Sequence, residues 1–160
     1  MEAFFNEYKT IIVFLHVISG VVWIGGMVAM RYAAHPSFIK IESPAKRLEL
    51  IADALGRLFK IVIPFVITLI ITAIIMIKGY SLSQSDLSVF SHAKEGIWSM
   101  MFINIMVMIY RKNLAQKLLH KGDFVGAKNQ LALIGSVMVP VNIGLGVVAI
   151  FLGTYLSGSL

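Results

Sequence analysis

The residues best suited to chemistry in this sequence are its histidines, and one of them stands inside a long apolar stretch. His16 is followed at helical spacing by Gly20, Trp23 and Met27, which places all four on one stripe of a helix. Small residues on such a stripe let a neighbouring backbone or a flat ligand come close. An ionisable side chain inside a membrane is costly and usually marks a function. We therefore predict that His16, with Gly20 and Trp23 beside it, binds a cofactor.

A second histidine opens the third apolar stretch. His92, Lys94 and Glu95 come directly before an uncharged run that covers residues 96–110. An ionisable group at the edge of a membrane span is costly to bury and often marks a function. His92 is the candidate second ligand of an iron or another metal. His92 stands at the end of its span, whereas His16 lies six residues inside its own. At a rise of about 1.5 Å per residue, His92 is therefore expected about 9 Å nearer the outer surface than His16.

Other roles are open for the polar residues of the spans. His16 could instead be structural and share a hydrogen bond with Thr72 or Thr68, which belong to the second span. Asn104 and Asn142 fall near the middle of the bilayer, where a buried amide needs a partner. A hydrogen bond between the two asparagines is the simpler interpretation, and a ligand role is the alternative.

Two further metal arrangements are open. Soft thioether and imidazole ligands suit Cu(I), so Met76 and Met100 could join the two histidines above in a copper site near the outer face. A second haem at the inner side would use His35 and His120. The sequence contains no cysteine, which excludes disulfides, thiolate metal sites and iron–sulfur clusters.

The elements that must position these residues are membrane helices. Apolar residues make up 58% of the 160 residues, charged residues make up 14%, and the mean hydropathy is +0.86. Soluble domains average about 45–50% apolar and about 25% charged residues. A helix needs about 20 apolar residues to cross a bilayer. The sequence therefore predicts an all-α integral membrane four-helix bundle, one domain over residues 1–160, with spans at about 10–32, 59–79, 92–111 and 131–156.

The basic residues indicate the orientation, because short loops rich in Lys and Arg stay in the cytoplasm. Six of the fourteen Lys and Arg lie between the first and second spans and five lie between the third and fourth, which leaves only Lys9, Lys78 and Lys94 elsewhere. Both termini and the middle loop are therefore expected on the outer (periplasmic) side. The isoelectric point of about 9.7 is explained by these basic cytoplasmic loops, which face anionic lipid. The positive charge therefore gives no separate support for nucleic-acid binding.

Capping residues mark the helix ends in the two basic segments. Ser43 and Pro44 are typical of an N-cap and a first helical residue, which predicts an interfacial helix leading into the second span. After the third span the helix is expected to continue over residues 113–120. Gly122 should end that helix and Asp123 should cap the next one.

Most of the first three spans resemble a known family. The segment LHVISGVVWIGG, with His16 and Trp23, resembles the opening helix of the CopD-like membrane proteins and of the related HemJ-type protoporphyrinogen oxidases. Pro64 resembles the proline of that group's second helix. The segment Ser91-His92-Ala93-Lys94 resembles its His-x-Lys entry to the following helix.

The resemblance implies a multi-pass four-helix protein of the bacterial inner (plasma) membrane, in which a histidine serves haem b or porphyrin chemistry. In the HemJ type a lysine takes part as well. Carried onto this chain, the resemblance points to His16 and His92 as ligands and to Lys94 as a catalytic residue. The leading hypothesis is a membrane b-type haem protein with a redox role, either electron transfer or porphyrinogen-type oxidation. Its haem would lie in the outer half of the bundle, and an enzyme of this kind would be an oxidoreductase.

Two other functions compete with this hypothesis. One is copper transport or copper resistance of the CopD type, with copper as the bound metal. The other is a noncatalytic membrane subunit of a redox complex, which would need no internal ligand. The expected partners are the lipid bilayer, a porphyrin or quinone and a redox partner protein, and oligomerisation is left open.

Overall fold

The computed structural model describes residues 2–79 and 88–158, and it describes side chains for residues 3–79 and 96–155. The described chain is entirely helical apart from short connections, and it forms four helical rods. This confirms the predicted all-α four-helix architecture. The elements are α1 (Glu2–Val28), a first π turn (Ala29–Ala34), α2 (His35–Ile39), α3 (Pro44–Gly79), α4 (Ser88–His120), α5 (Phe124–Leu133), a second π turn (Ile134–Met138) and α6 (Val139–Gly158).

Three of the rods, within the described residues, are long and apolar enough to cross a membrane. They cover Ala3–Ile39, Pro44–Gly79 and Phe124–Tyr155, and at most 28% of the most apolar window of each is buried inside the bundle. Large apolar side chains such as Phe14 and Phe151 are more than 60% exposed. Such a surface suits hydrocarbon rather than water. The 33-residue α4 contains the predicted third span, whose crossing stays a prediction.

The four rods run antiparallel to their neighbours around a closed ring. The rod of α1 packs most extensively on α3, α3 packs on α4, α4 packs on α5 and α6, and α6 returns to α1. Short connections between sequential rods are typical of an up-down-up-down bundle. The start of α1 and the end of α6 therefore point to the same end of the bundle.

Both predicted sets of capping residues are confirmed. The Lys46 N–H donates to Ser43 Oγ at 3.4 Å at the start of α3. Gly122 has φ +77° after α4, and Asp123 Oδ1 accepts from the Gly126 N–H at 2.8 Å. The structure differs from the prediction in one respect, because the interfacial helix and the second span form one unbroken helix of 36 residues.

Two π turns interrupt the first and last rods, and each ends two residues before a proline. The His35 N–H donates to the Met30 carbonyl and the Val139 N–H to the Ile134 carbonyl, each five residues back. Pro36 and Pro140 follow these turns. A proline has no N–H and its ring clashes with the carbonyl four residues earlier, and a wider turn relieves this clash. Pro64 lies in α3 without such a turn, so a proline alone does not cause one.

The predicted bond between the two asparagines is confirmed. Asn104 Nδ2 donates to Asn142 Oδ1 at 2.8 Å and also lies 2.9 Å from the Met138 carbonyl oxygen. Asn142 is 0% exposed. The pair joins α4 to α6 in the centre of the bundle, where a buried amide is costly without a partner.

We expect Asn104→Leu to destabilise the bundle by about 1–2 kcal/mol, because it leaves the buried Asn142 amide without its donor. The double variant Asn104→Leu/Asn142→Leu should recover part of this loss, since it removes both buried amides. Denaturant titrations in detergent micelles would measure the coupling. If the double variant loses as much free energy of unfolding as Asn104→Leu and Asn142→Leu lose together when measured singly, the hydrogen bond contributes little.

Candidate functional site

His16 lies on the face of α1 that packs against α3 and is half-buried there. Its Nδ1 lies 2.9 Å from Thr72 Oγ1. The Thr72 hydroxyl also lies 2.8 Å from the Thr68 carbonyl oxygen and 3.0 Å from the Leu69 carbonyl oxygen, so it donates its single proton to its own helix. In that arrangement the hydroxyl accepts from His16 Nδ1–H, and a neutral imidazole then carries its lone pair on Nε2; the tautomer is assigned from these distances.

The predicted inward stripe of α1 is present. Its burial increases toward the C-terminal end of α1, since His16 and Gly20 are half-buried, Trp23 is 2% exposed and Met27 is 0% exposed. A Cβ built on Gly20 would lie 3.7 Å from Leu69 Cδ1, which is an ordinary contact. Packing of α1 on α3 therefore leaves room for a methyl group at Gly20.

Trp23 carries a polar atom without a partner. Its Nε1 is buried, and the described residues offer it no hydrogen-bond acceptor. A buried indole N–H usually finds a partner, so this one is an exception that calls for an explanation. Around Trp23 the core is closely filled by residues that are at most 3% exposed, including Met27, Met101 and Ile105. The filled core and the unpartnered N–H lie two helical turns below His16.

The second predicted ligand and the predicted catalytic lysine begin α4. The backbones of His92 and Lys94 are helical within Ser88–His120, but their side chains lie outside the described residues. Whether these side chains approach His16 stays a prediction. The tryptophan that follows them, Trp98, is half-buried.

Within residues 3–79 and 96–155, no three His, Cys, Asp or Glu side chains come together as a metal site. Met76 is half-buried and Met100 is 57% exposed. His120 is exposed at the end of α4, whereas His35 lines a small cavity at the end of α1.

Comparison with known protein families, curated proteins and solved structures gave no match. The resemblance of the first three spans to the CopD-like and HemJ-type proteins therefore stands on its motifs alone. The function has to be argued from the residues of the site, since a four-helix bundle hosts many activities.

Sequence reasoning found His16 and its hydroxyl partner but missed the cavity at the other end of the bundle. Arg31 and His35 line it together with residues of α3 and of the second π turn. Two prolines inside helical patterns, Pro36 and Pro140, were the available signal. They mark the places where the helices widen.

Proposed function

We propose that this chain is a multi-pass membrane protein that binds haem b through His16 and takes part in a redox reaction. The observation that carries the proposal is the hydrogen bond between His16 Nδ1 and Thr72 Oγ1 at 2.9 Å, which a purely structural His16 would also make, so the cofactor test below decides between the two roles. Histidines that ligate metals almost always donate their other ring N–H to an acceptor, which fixes the tautomer and the ring orientation. His16 has this arrangement, with Nε2 as the nitrogen that would bind iron.

The cost of placing a histidine in a membrane helix supports a functional role. A polar side chain in this environment is costly and is usually kept for a specific use. His16 lies in an apolar helix whose inward face is otherwise formed by small and apolar residues. Haem bound there would supply a one-electron iron couple. The chain would hold the iron through His16, orient the imidazole through Thr72, and exclude water from the inner side through the filled core at Trp23.

The closed core also limits where a haem can lie. Trp23, Met27 and Ile105 are each at most 2% exposed, which favours a porphyrin outside this layer. The proposal therefore puts the porphyrin on the outer side of this layer, toward the start of α4. His92 would be the second ligand there, and Lys94 the residue that handles a porphyrin or quinone substrate. A redox partner protein would exchange electrons at this end.

The proposal includes an orientation in the bacterial inner membrane, with the basic end in the cytoplasm. The fold brings the two basic segments to one end of the bundle, because Lys112 Nζ lies 3.6 Å from the Cβ position of Gly56. Arg111, beside it, donates to Gln130 of α5 at 2.8 Å. Positive charge collected at one end supports retention of that end in the cytoplasm.

Cysteine labelling tests this orientation, and the natural chain has no cysteine to interfere. We expect Ser85→Cys, in the connection between α3 and α4, to react with an impermeant thiol reagent added to intact cells. Lys117→Cys, in the basic segment, should react only after the cells are broken. Labelling of Lys117→Cys in intact cells would reverse the proposed orientation.

The cofactor proposal is tested by purifying the protein in detergent from cells supplied with a haem precursor. We expect a Soret band, and alpha and beta bands that appear on reduction. The haem content should be about one per chain, as for one axial site at His16. A colourless protein that binds Cu(I) would replace the proposal by the copper alternative. A colourless protein that binds neither would favour a noncatalytic membrane subunit.

A further inference from the structure

A small cavity lies at the end of the bundle opposite the start of α1. Its volume is about 20 Å³, it is partly open to the surface, and it is lined by parts of three rods, mostly by apolar side chains. Arg31 and His35 line it from the first rod, Leu55 from α3, and Ile134 and Gly135 from the second π turn. The Nε2 atom of His35 lies 3.9 Å from the Cβ position of Gly135. We call this space the Arg31 cavity.

The charge in the cavity has no counter-ion. Arg31 Nε is buried and has no hydrogen-bond partner among the described residues. No carboxylate lines the cavity, and the ion pairs that the described residues form, Lys46–Glu49 and Arg57–Asp53, are on the surface. Arg31 as a whole is half-buried, but its Nε–H is out of contact with water, and a buried N–H is costly unless an acceptor replaces the water. An acceptor oxygen from outside the described chain would stabilise this N–H.

Residues of both π turns line this space. Met30 and Arg31 belong to the first turn, and Ile134 and Gly135 belong to the second, so the two widened segments face each other across the cavity. Widened turns of this kind are frequent at functional sites. Gly135 adds to the space because it brings no side chain toward His35.

The size and position of the cavity identify the class of ligand. A space of about 20 Å³ holds about one atom of the size of a water oxygen. Arg31 is the first charged residue after the uncharged stretch of residues 10–30, and its neighbour Tyr32 is 65% exposed. Tyr beside Arg at the end of an apolar span is typical of the head-group layer of a membrane.

We propose that the Arg31 cavity takes one oxygen of the phosphate group of an anionic phospholipid. Arginine binds phosphate oxygens through short charge-assisted hydrogen bonds, and basic pockets between membrane helices on the cytoplasmic side are known lipid sites. The remainder of the head group stays at the opening of the Arg31 cavity, and the acyl chains lie along the exposed apolar faces of the neighbouring rods. This inference does not rest on haem binding, because it concerns the opposite end of the bundle.

Native mass spectrometry of the full chain in detergent tests the proposal, with phosphatidylglycerol and phosphatidylcholine added in turn. We expect the natural chain to retain one phosphatidylglycerol in preference to phosphatidylcholine. Arg31→Gln should weaken that retention by about tenfold or more, as expected for loss of a hydrogen bond between charged groups. The matched control is Arg57→Gln, which removes an exposed arginine at the same end and should retain the lipid as the natural chain does.

A second variant keeps the charge and removes the space. Gly135→Val places methyl groups in the cavity beside His35, and we expect it to lose the preference for phosphatidylglycerol with Arg31 intact. Equal lipid retention by the natural chain, Arg31→Gln and Gly135→Val would overturn the proposal. Equally strong, Arg31-dependent binding of inorganic phosphate alone would overturn the assignment to a lipid.

Discussion

The His16→Ala variant is expected to lose the Soret band, with a fall in haem content of about tenfold or more. Such a fall corresponds to at least about 1.4 kcal/mol of lost binding free energy. The substitution removes the imidazole whose Nδ1 lies 2.9 Å from Thr72 Oγ1 and which is the proposed iron ligand. The bundle itself should still insert, since the apolar faces of α1 and α3 are unchanged. Haem content and absorption of the purified variant provide the measurement.

Two further variants separate ligation from general damage. His120→Ala changes an exposed histidine at the end of α4 and should leave both the spectrum and the haem content unchanged. Thr72→Val removes the acceptor but keeps His16, and we expect about 10–100-fold weaker haem affinity with the Soret band still present. If His16→Ala keeps the spectrum and the full haem content of the natural chain, His16 does not bind the iron. Its role would then be the hydrogen bond between α1 and α3.

Gly146→Leu is expected to destabilise the bundle by about 1–3 kcal/mol or more, as overpacking of a filled core does. Gly146 lies on α6 where it meets α1. A Cβ built there would be 2.7 Å from Ile24 Cγ1, closer than side-chain atoms approach one another, and 3.4 Å from Met101 Cε. Since side chains of α1 and α4 both reach this position, a leucine there has to displace Ile24, Met101 or the rods that carry them. Thermal unfolding in detergent micelles measures the loss.

Gly144 provides the matched control for Gly146. It lies on the same helix, is exposed, and has no atom within 4 Å of its Cβ position. Gly144→Leu should therefore unfold within a few degrees of the natural chain. If Gly146→Leu is as stable as Gly144→Leu, then α1 and α6 are not packed as described, and the ring of four rods is wrong.

The features that the sequence predicted correctly depend on local chemistry or on helical spacing. Gly122 and Asp123 end and start helices through their own backbone and side-chain bonds, so their roles can be read without the fold. Asn104 and Asn142 were paired because each needs a partner at the same depth. His16 and Thr72 were candidates for a hydrogen bond by the same reasoning.

The features that the sequence did not predict depend on how several rods meet. A proline in a helical pattern allows a kink, a π turn or no visible change, and Pro36, Pro64 and Pro140 do not all behave alike. The Arg31 cavity is lined by residues of two widened turns that face each other. Gly20 was expected to let a neighbouring backbone or a flat ligand come close, and its role in cofactor binding stays a prediction, because neighbouring side chains also shape the space beside it.

The central claim is that His16 is the residue that binds the haem iron. It is tested most directly in a chain where His16 is the one remaining histidine of the four, with His35, His92 and His120 replaced by asparagine. Histidine labelled with a nitrogen isotope would be incorporated, and electron–nuclear double resonance of the ferric protein would detect nitrogens bonded to iron. We predict strong coupling from one labelled histidine nitrogen in addition to the porphyrin nitrogens. A haem-loaded protein without this coupling, or a folded protein that takes up no haem, would contradict the claim.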